Sequence, residues 1–145
     1  MKNEERRMKN HMRNSRNRTD SLLHTKSYAF ALRVIQMGRF LREQQQEFIL
    51  SKQVLRSGTA IGALIRESEF AQSKADFINK LNIALKEANE TDYWLNLLKD
   101  SEYISLTAFT SMENDCGELI ALLVSSIKTV KNNLMKNEKG SSSQD

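Results

Sequence analysis

The side chains that could do chemistry are few, and their spacing does not assemble a catalytic site. Glu87 and Glu90 stand three residues apart, which is the spacing of half a di-metal carboxylate site on a helix. Such a site in a helical bundle also needs Glu-x-x-His motifs, and the two histidines, His11 and His24, lie far from both glutamates. There is no glycine-rich phosphate loop. We predict that the protein is not an enzyme and holds no metal ion or cofactor.

Cys116 is the single cysteine, and it falls within an apolar stripe at helical spacing. No His or Asn is placed to activate its thiol, so we predict a small core residue rather than a nucleophile. A lone cysteine also excludes a disulfide within one chain. The longest apolar run, residues 119–124, is too short to span a membrane, and no apolar segment follows the basic N-terminus. We therefore expect a cytoplasmic protein without membrane contact.

The composition favours long helices. The chain has no proline, five glycines and no run of alternating β-branched residues, which predicts an all-α fold. Amphipathic segments separated by short polar turns predict an antiparallel, up-down-up-down four-helix bundle over residues 25–135. The first helix is expected to run from Thr25 or Ser27 to about residue 45. The basic leader, residues 1–24, and the Ser-rich tail, residues 136–145, are expected to be disordered, although a frayed helix is an alternative for the leader.

Residues 51–98 organise the predicted bundle as two helices joined by a very short turn. Ser73, followed by Asp76, is the expected N-cap of the second of these helices, and Ser105 is the expected N-cap of the last helix in the chain. Gly58 and Gly62 lie four residues apart at the edge of an apolar arc. Glycines at this spacing remove side-chain bulk and predict a close crossing with another helix. The polar residues 43–47 either form a loop or continue the first helix through a bend.

The apolar surface exceeds what the core of one bundle requires. The first helix is apolar over more than one face, and the third carries Ile83, Trp94 and Leu97 opposite its core seam. With Phe40, these three residues are candidates for an oligomer interface, since an outward Trp is a common interface anchor. The alternative is that Trp94 folds back over the end of the bundle. Asp92 falls inside the core arc, where it would need a partner if buried.

Positive charge is concentrated at the N-terminus. Residues 1–20 hold seven Lys and Arg against three acidic residues, a net charge of +4, while the remainder of the chain is neutral. The leader is either an arm that lies on nucleic-acid phosphates or a solvated segment. A basic stripe on the predicted helices supplies further candidates for phosphate contacts: Arg33, Arg39, Arg42, Lys52, Arg56 and Arg66. The alternative for Lys52, Arg56 and Arg66 is a solvated face, or ion pairs with Glu67, Glu69 and the first helix.

Two segments carry a specific resemblance. The residues 56–67, RSGTAIGALIRE, and 84–95, ALKEANETDYWL, resemble the signature of bacterial four-helix-bundle proteins encoded in intervening sequences of 23S ribosomal RNA genes. The similarity extends over about residues 26–132. It implies a soluble bundle that assembles as a ring-like homopentamer. A related branch, the accessory variability determinants of diversity-generating retroelements, binds nucleic acid and a reverse transcriptase through a basic surface.

Two functions follow from the residues and the resemblance together. The first is a non-enzymatic homo-oligomer, a pentamer by the resemblance, that binds RNA or DNA through basic residues and is encoded in a ribosomal RNA intervening sequence or a similar element. The second is a protein-interaction scaffold, such as a reverse-transcriptase accessory subunit, with no direct nucleic-acid role. The neutral charge of the predicted bundle weighs against carrying nucleic-acid binding over directly from the related branch.

Overall fold

The computed structural model describes the backbone of residues 2–142 and the side chains of residues 2–10 and 18–140. Its elements are α1 (Lys2–Glu43), α2 (Leu50–Ser68), α3 (Lys74–Asp100) and α4 (Leu106–Ser142). No strand occurs over this range, so the predicted all-α class is confirmed. No helix in the described part of the chain is both long and apolar enough to span a membrane.

Both outer helices are longer than the sequence predicts. α1 begins at Lys2 rather than at Thr25 or Ser27, so residues 2–24 are helical, which is the alternative given for the leader, and α4 continues to Ser142, so residues 136–142 are helical where disorder is predicted. No proline or glycine occurs before Gly38, and Lys, Arg, Glu and Met are good helix formers, so nothing in the leader ends the helix. Residues 1 and 143–145, to which the same predictions apply, lie outside the described part.

Neighbouring helices run in opposite directions. Along α2, Gly58 lies against Val34 and Gly62 against Ser27, so the α1 partner moves backwards as the α2 number rises. A Cβ atom at Gly58 would lie 2.8 Å from Val34 Cγ2, and one at Gly62 would lie 3.4 Å from the Ser27 carbonyl oxygen. The predicted close crossing is therefore confirmed, with α1 as the partner helix.

The other helix pairs show the same antiparallel order. Thr91 Oγ1 donates to Ser57 Oγ at 2.9 Å between α3 and α2, and Cys116 Sγ donates to the Ala88 carbonyl at 3.3 Å between α4 and α3. α1 packs on α2 and α4, and α3 packs on the same two helices. The core lies between them and is filled by large side chains that are fully buried, including Phe30, Leu41, Ile61, Leu81, Leu95 and Leu119.

The connection between α1 and α2 is a loop built around a buried carboxylate. Glu47 is 7% exposed, and its oxygens accept the N–H groups of Ile49, Leu50 and Ser51 at 2.8, 2.8 and 2.6 Å. Gln46 has a positive φ of 55°, which ends the helical path. The bent-helix alternative is therefore wrong. Glu is not among the usual N-cap residues, so the sequence gives little sign of this cap.

The two predicted serine caps are confirmed. Ser73 Oγ accepts the Asp76 N–H at 3.0 Å, and Asp76 Oδ2 accepts the Gln72 N–H at 3.3 Å. Ser105 Oγ accepts the Ala108 N–H at 3.1 Å at the start of α4. These caps satisfy N–H groups that have no partner within the helix, and they fix where α3 and α4 begin.

Candidate nucleic-acid interface and oligomer surface

The first two helices contain long stretches that carry positive side chains and no negative ones. Residues 21–42 of α1 and 48–66 of the next segment carry seven Lys and Arg and no Asp or Glu. α3 and α4 carry the acidic residues that face them. This signal is present in the sequence as two long stretches without acidic residues. The structure adds that these two stretches lie side by side, because α1 packs on α2.

The cations on the α4 side of α1 are paired. The Arg33 guanidinium forms an ion pair with Asp115, and its Nη2 donates to Ser111 Oγ at 2.7 Å. Lys26 Nζ lies 2.8 Å from Glu118 Oε1. Arg33, a predicted phosphate contact, therefore joins α1 to α4. The ion pair with Asp115 and the hydrogen bond to Ser111 hold the Arg33 guanidinium against α4, so it is not free to bind a ligand.

The cation on the α3 side of α2 is paired as well. Arg56 Nη1 lies 3.2 Å from Glu87 Oε2, and its other terminal nitrogen forms an ion pair with Glu90. These hydrogen bonds raise the pKa of Arg56 and lower the pKa of Glu90 below its usual range. Of the predicted alternatives for Arg56, an ion pair is correct, but its partners lie on α3 rather than at Glu67, Glu69 or on α1.

The remaining predicted cations lie on the outward side of the α1–α2 hairpin. Arg39, Lys52 and Arg66 are exposed, Arg42 is half-buried, and none of the four forms a salt bridge within the described residues. Arg39, Arg42 and Lys52 lie close to the α1–α2 loop, and Arg66 lies in the last turn of α2. At 1.5 Å per residue, Lys52 and Arg66 are about 21 Å apart along the helix. We call these four residues and the surface between them the cationic face.

The residues proposed for an oligomer interface differ in exposure. Phe40 is 42% and Ile83 37% exposed, while Trp94 and Leu97 are half-buried, and Trp94 packs on the core. Trp94 meets Tyr93 edge-on with ring centroids 5.1 Å apart, and its Nε1 is buried. Trp94 is thus neither fully outward nor folded over the bundle end, and its interface role stays a prediction.

The most exposed apolar side chains were not among the predicted ones. Phe70 is 79%, Ile49 75%, Leu106 70% and Tyr28 65% exposed. Ile49 and Leu106 lie at the end of the bundle where α1 stops and α4 starts, which is also the end that carries Phe40. Phe70, Ile49 and Leu106 lie in connections or in a first turn, where no helical period is available, so periodicity did not identify them, whereas Tyr28 belongs to the apolar excess of the first helix.

Asp92 has a partner that the sequence did not reveal. Asp92 Oδ1 and Glu113 Oε2 are buried between α3 and α4, and each has no partner among the described residues except the facing carboxyl group. A hydrogen bond to Asp92, with a further contribution from burial, raises the pKa of Glu113 to about 7. Below neutral pH the Glu113 carboxyl is therefore protonated and can donate to Asp92. Lys99 opposes this effect by favouring the charged form of Glu113.

Cys116 is a core residue, as predicted. It is fully buried, and burial raises the pKa of its thiol to about 12, so the reactive thiolate is disfavoured. Among the residues whose side chains are described, no group of three His, Cys, Asp or Glu is placed to hold a metal ion. The prediction that the protein is not an enzyme remains untested.

Comparison with known proteins agrees with the signature segments. The 23S rRNA-intervening sequence protein family matches residues 19–125. A crystal structure of a protein of unknown function from the S23 ribosomal protein family of Bacteroides thetaiotaomicron is similar, with 57% identity and a TM-score of 0.75. The match covers 76% of this chain and 98% of that one. No curated protein matches. The four residues of the cationic face fall within the matched range, and the chain belongs to the 23S rRNA-intervening sequence protein family.

Proposed function

We propose that the protein is a non-enzymatic homo-oligomer, a pentamer of antiparallel four-helix bundles, that binds the phosphate backbone of RNA or DNA through the cationic face. The observation that carries this proposal is the set of four Lys and Arg residues without acidic partners on the outer side of α1 and α2. Charged groups left without partners on one face are available to a polyanion. A buried free thiol is compatible with the cytoplasm, where we place the protein.

The dimensions of the face suit a nucleic acid. Duplex DNA presents about one negative charge per 1.7 Å, so the roughly 21 Å between Lys52 and Arg66 faces about twelve phosphates. Four cations can contact only some of these, so one subunit would bind weakly. An oligomer presents several copies of the cationic face to one ligand. Its apparent affinity is therefore higher, although each subunit makes the same contacts as a single subunit would.

Self-association is supported by the exposed apolar side chains. Three large ones that lie at the same end of the bundle, Phe40, Ile49 and Leu106, are more than 40% exposed. Contiguous exposed apolar surface is typical of protein interfaces. The name of the matching family places its members in intervening sequences of 23S rRNA, and RNA is therefore the first ligand to test.

The experiment compares two double variants with equal net charge. Arg39→Gln with Lys52→Gln removes two charges from the cationic face, and Lys74→Gln with Lys86→Gln removes two exposed charges from α3. At about 0.1 M salt, one lost phosphate contact weakens binding by on the order of tenfold. We expect the first variant to bind a 20-base-pair RNA or DNA duplex at least tenfold more weakly than the wild type, and the α3 variant to bind like the wild type. Equal affinities for both variants would contradict the proposal.

The second candidate function is a scaffold for another protein, such as a reverse transcriptase, without direct nucleic-acid contact. It is favoured by the exposed apolar residues near the α1–α2 and α3–α4 connections. There a cavity of about 810 Å³ is lined by apolar side chains that include Met37, Tyr103 and Met112. Absence of duplex binding at low salt, with the oligomer intact, would leave this scaffold as the better account.

A further inference from the structure

The two outer helices extend beyond the inner ones at the same end of the bundle. α1 has 42 residues and α4 has 37, against 19 in α2 and 27 in α3. The α2–α3 turn lies beside residues 20–24 of α1: His24 Nε2 is 2.8 Å from Glu69 Oε1, and Asp20 lines a cavity together with Ala71 and Ser73. Residues 2–18 therefore lie past the turn, as a helix about 25 Å long.

α4 leaves the bundle in the same direction, because it runs antiparallel to α1. Its last buried residues are Ile127 and Val130, and beyond them the described side chains are exposed or half-buried. We call residues 2–18 of α1 and 131–140 of α4 the two-helix extension. Neither part belongs to the range matched by the family, which ends at residue 125 and begins at residue 19.

The charge of the chain is concentrated in this extension. Residues 2–18 carry seven Lys and Arg against two Glu, and residues 131–140 carry three Lys against one Glu, so the extension has a net charge of +7. Residues 19–130 carry twelve Lys and Arg against fourteen Asp and Glu, a net charge of −2. Arg6, Arg7, Lys9, Lys131 and Lys136 are all exposed. Like charges brought together on two helices without a polyanion repel one another.

The described N-terminal part of the extension, residues 2–10, lacks the features of a membrane-binding or coiled-coil helix. Residues 2–10 have one large apolar side chain, Met8, and it is 63% exposed. An interfacial helix needs an apolar face that can enter the lipid, and a recognition helix for a protein groove needs apolar anchors at a spacing of three and four. Dense positive charge without such a face is typical of contacts to phosphates.

We propose that the two-helix extension is a second phosphate-binding site, which clamps the backbone of double-helical RNA or DNA next to the cationic face. The inference rests on the proposed function, since it adds contacts to the same ligand. α1 is continuous from the extension to Arg39 and Arg42, so the α1 parts of both surfaces lie along one helix about 60 Å long. A site of this size contacts more phosphates than the cationic face alone.

The test measures how affinity for a 20-base-pair duplex depends on salt. The extension variant carries Arg6→Gln, Arg7→Gln, Lys131→Gln and Lys136→Gln, and the double variant Lys74→Gln with Lys86→Gln is the control. Four lost contacts should reduce the slope of log affinity against log salt by about 3.6, and binding at about 0.1 M salt should fall more than 100-fold. The control should keep the wild-type slope. RNA and DNA duplexes are titrated separately, and anionic lipid vesicles form a third arm.

Each outcome decides between the two proposals. If the wild type binds duplex and the extension variant behaves like the control, the extension is not a site, and the cationic face stands. If the wild type binds no duplex at low salt, or binds only the vesicles, both proposals fail. Circular dichroism of the variant checks its helices. Should the four changes unfold it, Arg6→Gln with Arg7→Gln alone, at the exposed tip, is expected to reduce the slope by about 1.8, and an unchanged slope would overturn the inference.

Discussion

Substitution of Gly58 by alanine tests the packing of α2 against α1. The new Cβ atom would lie 2.8 and 2.9 Å from the two methyl carbons of Val34, closer than carbon atoms normally approach. Val34 is fully buried, and a β-branched residue in a helix has one strongly preferred rotamer, so its methyl groups cannot turn away. The helix backbones must move apart, or the side chain must leave its rotamer.

Two effects of opposite sign determine how much Gly58→Ala changes the free energy of unfolding. Alanine in place of glycine favours a helix by about 1 kcal/mol. Overpacking a well-filled core typically costs about 1–3 kcal/mol. The net change for Gly58→Ala is therefore a loss of stability of up to about 2 kcal/mol. A Cβ atom at Gly117 would meet nothing within 4 Å, so Gly117→Ala should instead gain about 1 kcal/mol.

The assay is urea unfolding followed by circular dichroism. We expect Gly117→Ala to be more stable than the wild type and Gly58→Ala less stable, with a difference of about 1–3 kcal/mol between the variants. Adding Val34→Ala to Gly58→Ala removes both methyl groups, so the double variant should lose less than the sum of the two single changes. Stabilisation by Gly58→Ala equal to that of Gly117→Ala would refute the close contact with Val34.

Three further predictions concern the caps, the carboxyl pair and the interface. Glu47→Ala removes the acceptor of three N–H groups and should cost about 1–2 kcal/mol in urea unfolding, whereas the exposed Glu43→Ala should cost little; equal costs would refute the cap. The pKa of Glu113 is raised on folding from 4.5 to about 7, so stability should fall as the pH rises through that range. Glu113→Gln should flatten this profile, and an unchanged profile would count against the raised pKa of Glu113. Trp94→Ala should shift the sedimenting mass towards monomer with helicity retained; an unaltered mass would argue against an interface at Trp94.

Much of the fold could be predicted because periodicity and capping act locally. Ser73 and Ser105 lie just before apolar-periodic segments, and both cap a helix. Gly58 and Gly62 indicated a close crossing, because two residues without side-chain bulk on one face of a helix let another helix approach closely. The helix ends at Lys2 and Ser142 were missed because the prediction relied on apolar burial, whereas good helix formers without proline can continue a helix past the core.

The candidate site was less predictable because charge pairing is a tertiary property. Arg33 and Arg56 look equivalent to Arg39 and Lys52 in the sequence, but Asp115 and Glu90 face the first two across helix boundaries. Helical spacing placed Asp92 in the core arc without identifying Glu113, which lies 21 residues later on another helix. The alignment of neighbouring helices therefore decides which charged side chains form ion pairs. No single segment of the sequence determines that alignment.

The salt dependence of duplex binding by the full-length wild-type chain is the most direct test of the central claim that unpaired cations of this bundle hold a phosphate backbone. Each phosphate contact contributes about −0.9 to the slope of log affinity against log salt. With the four cations of the cationic face and those of the two-helix extension engaged, we predict a slope steeper than about −5, so affinity falls about 1,000-fold or more between 50 and 200 mM salt. A slope between zero and about −2, or no binding at 50 mM salt, would contradict the account.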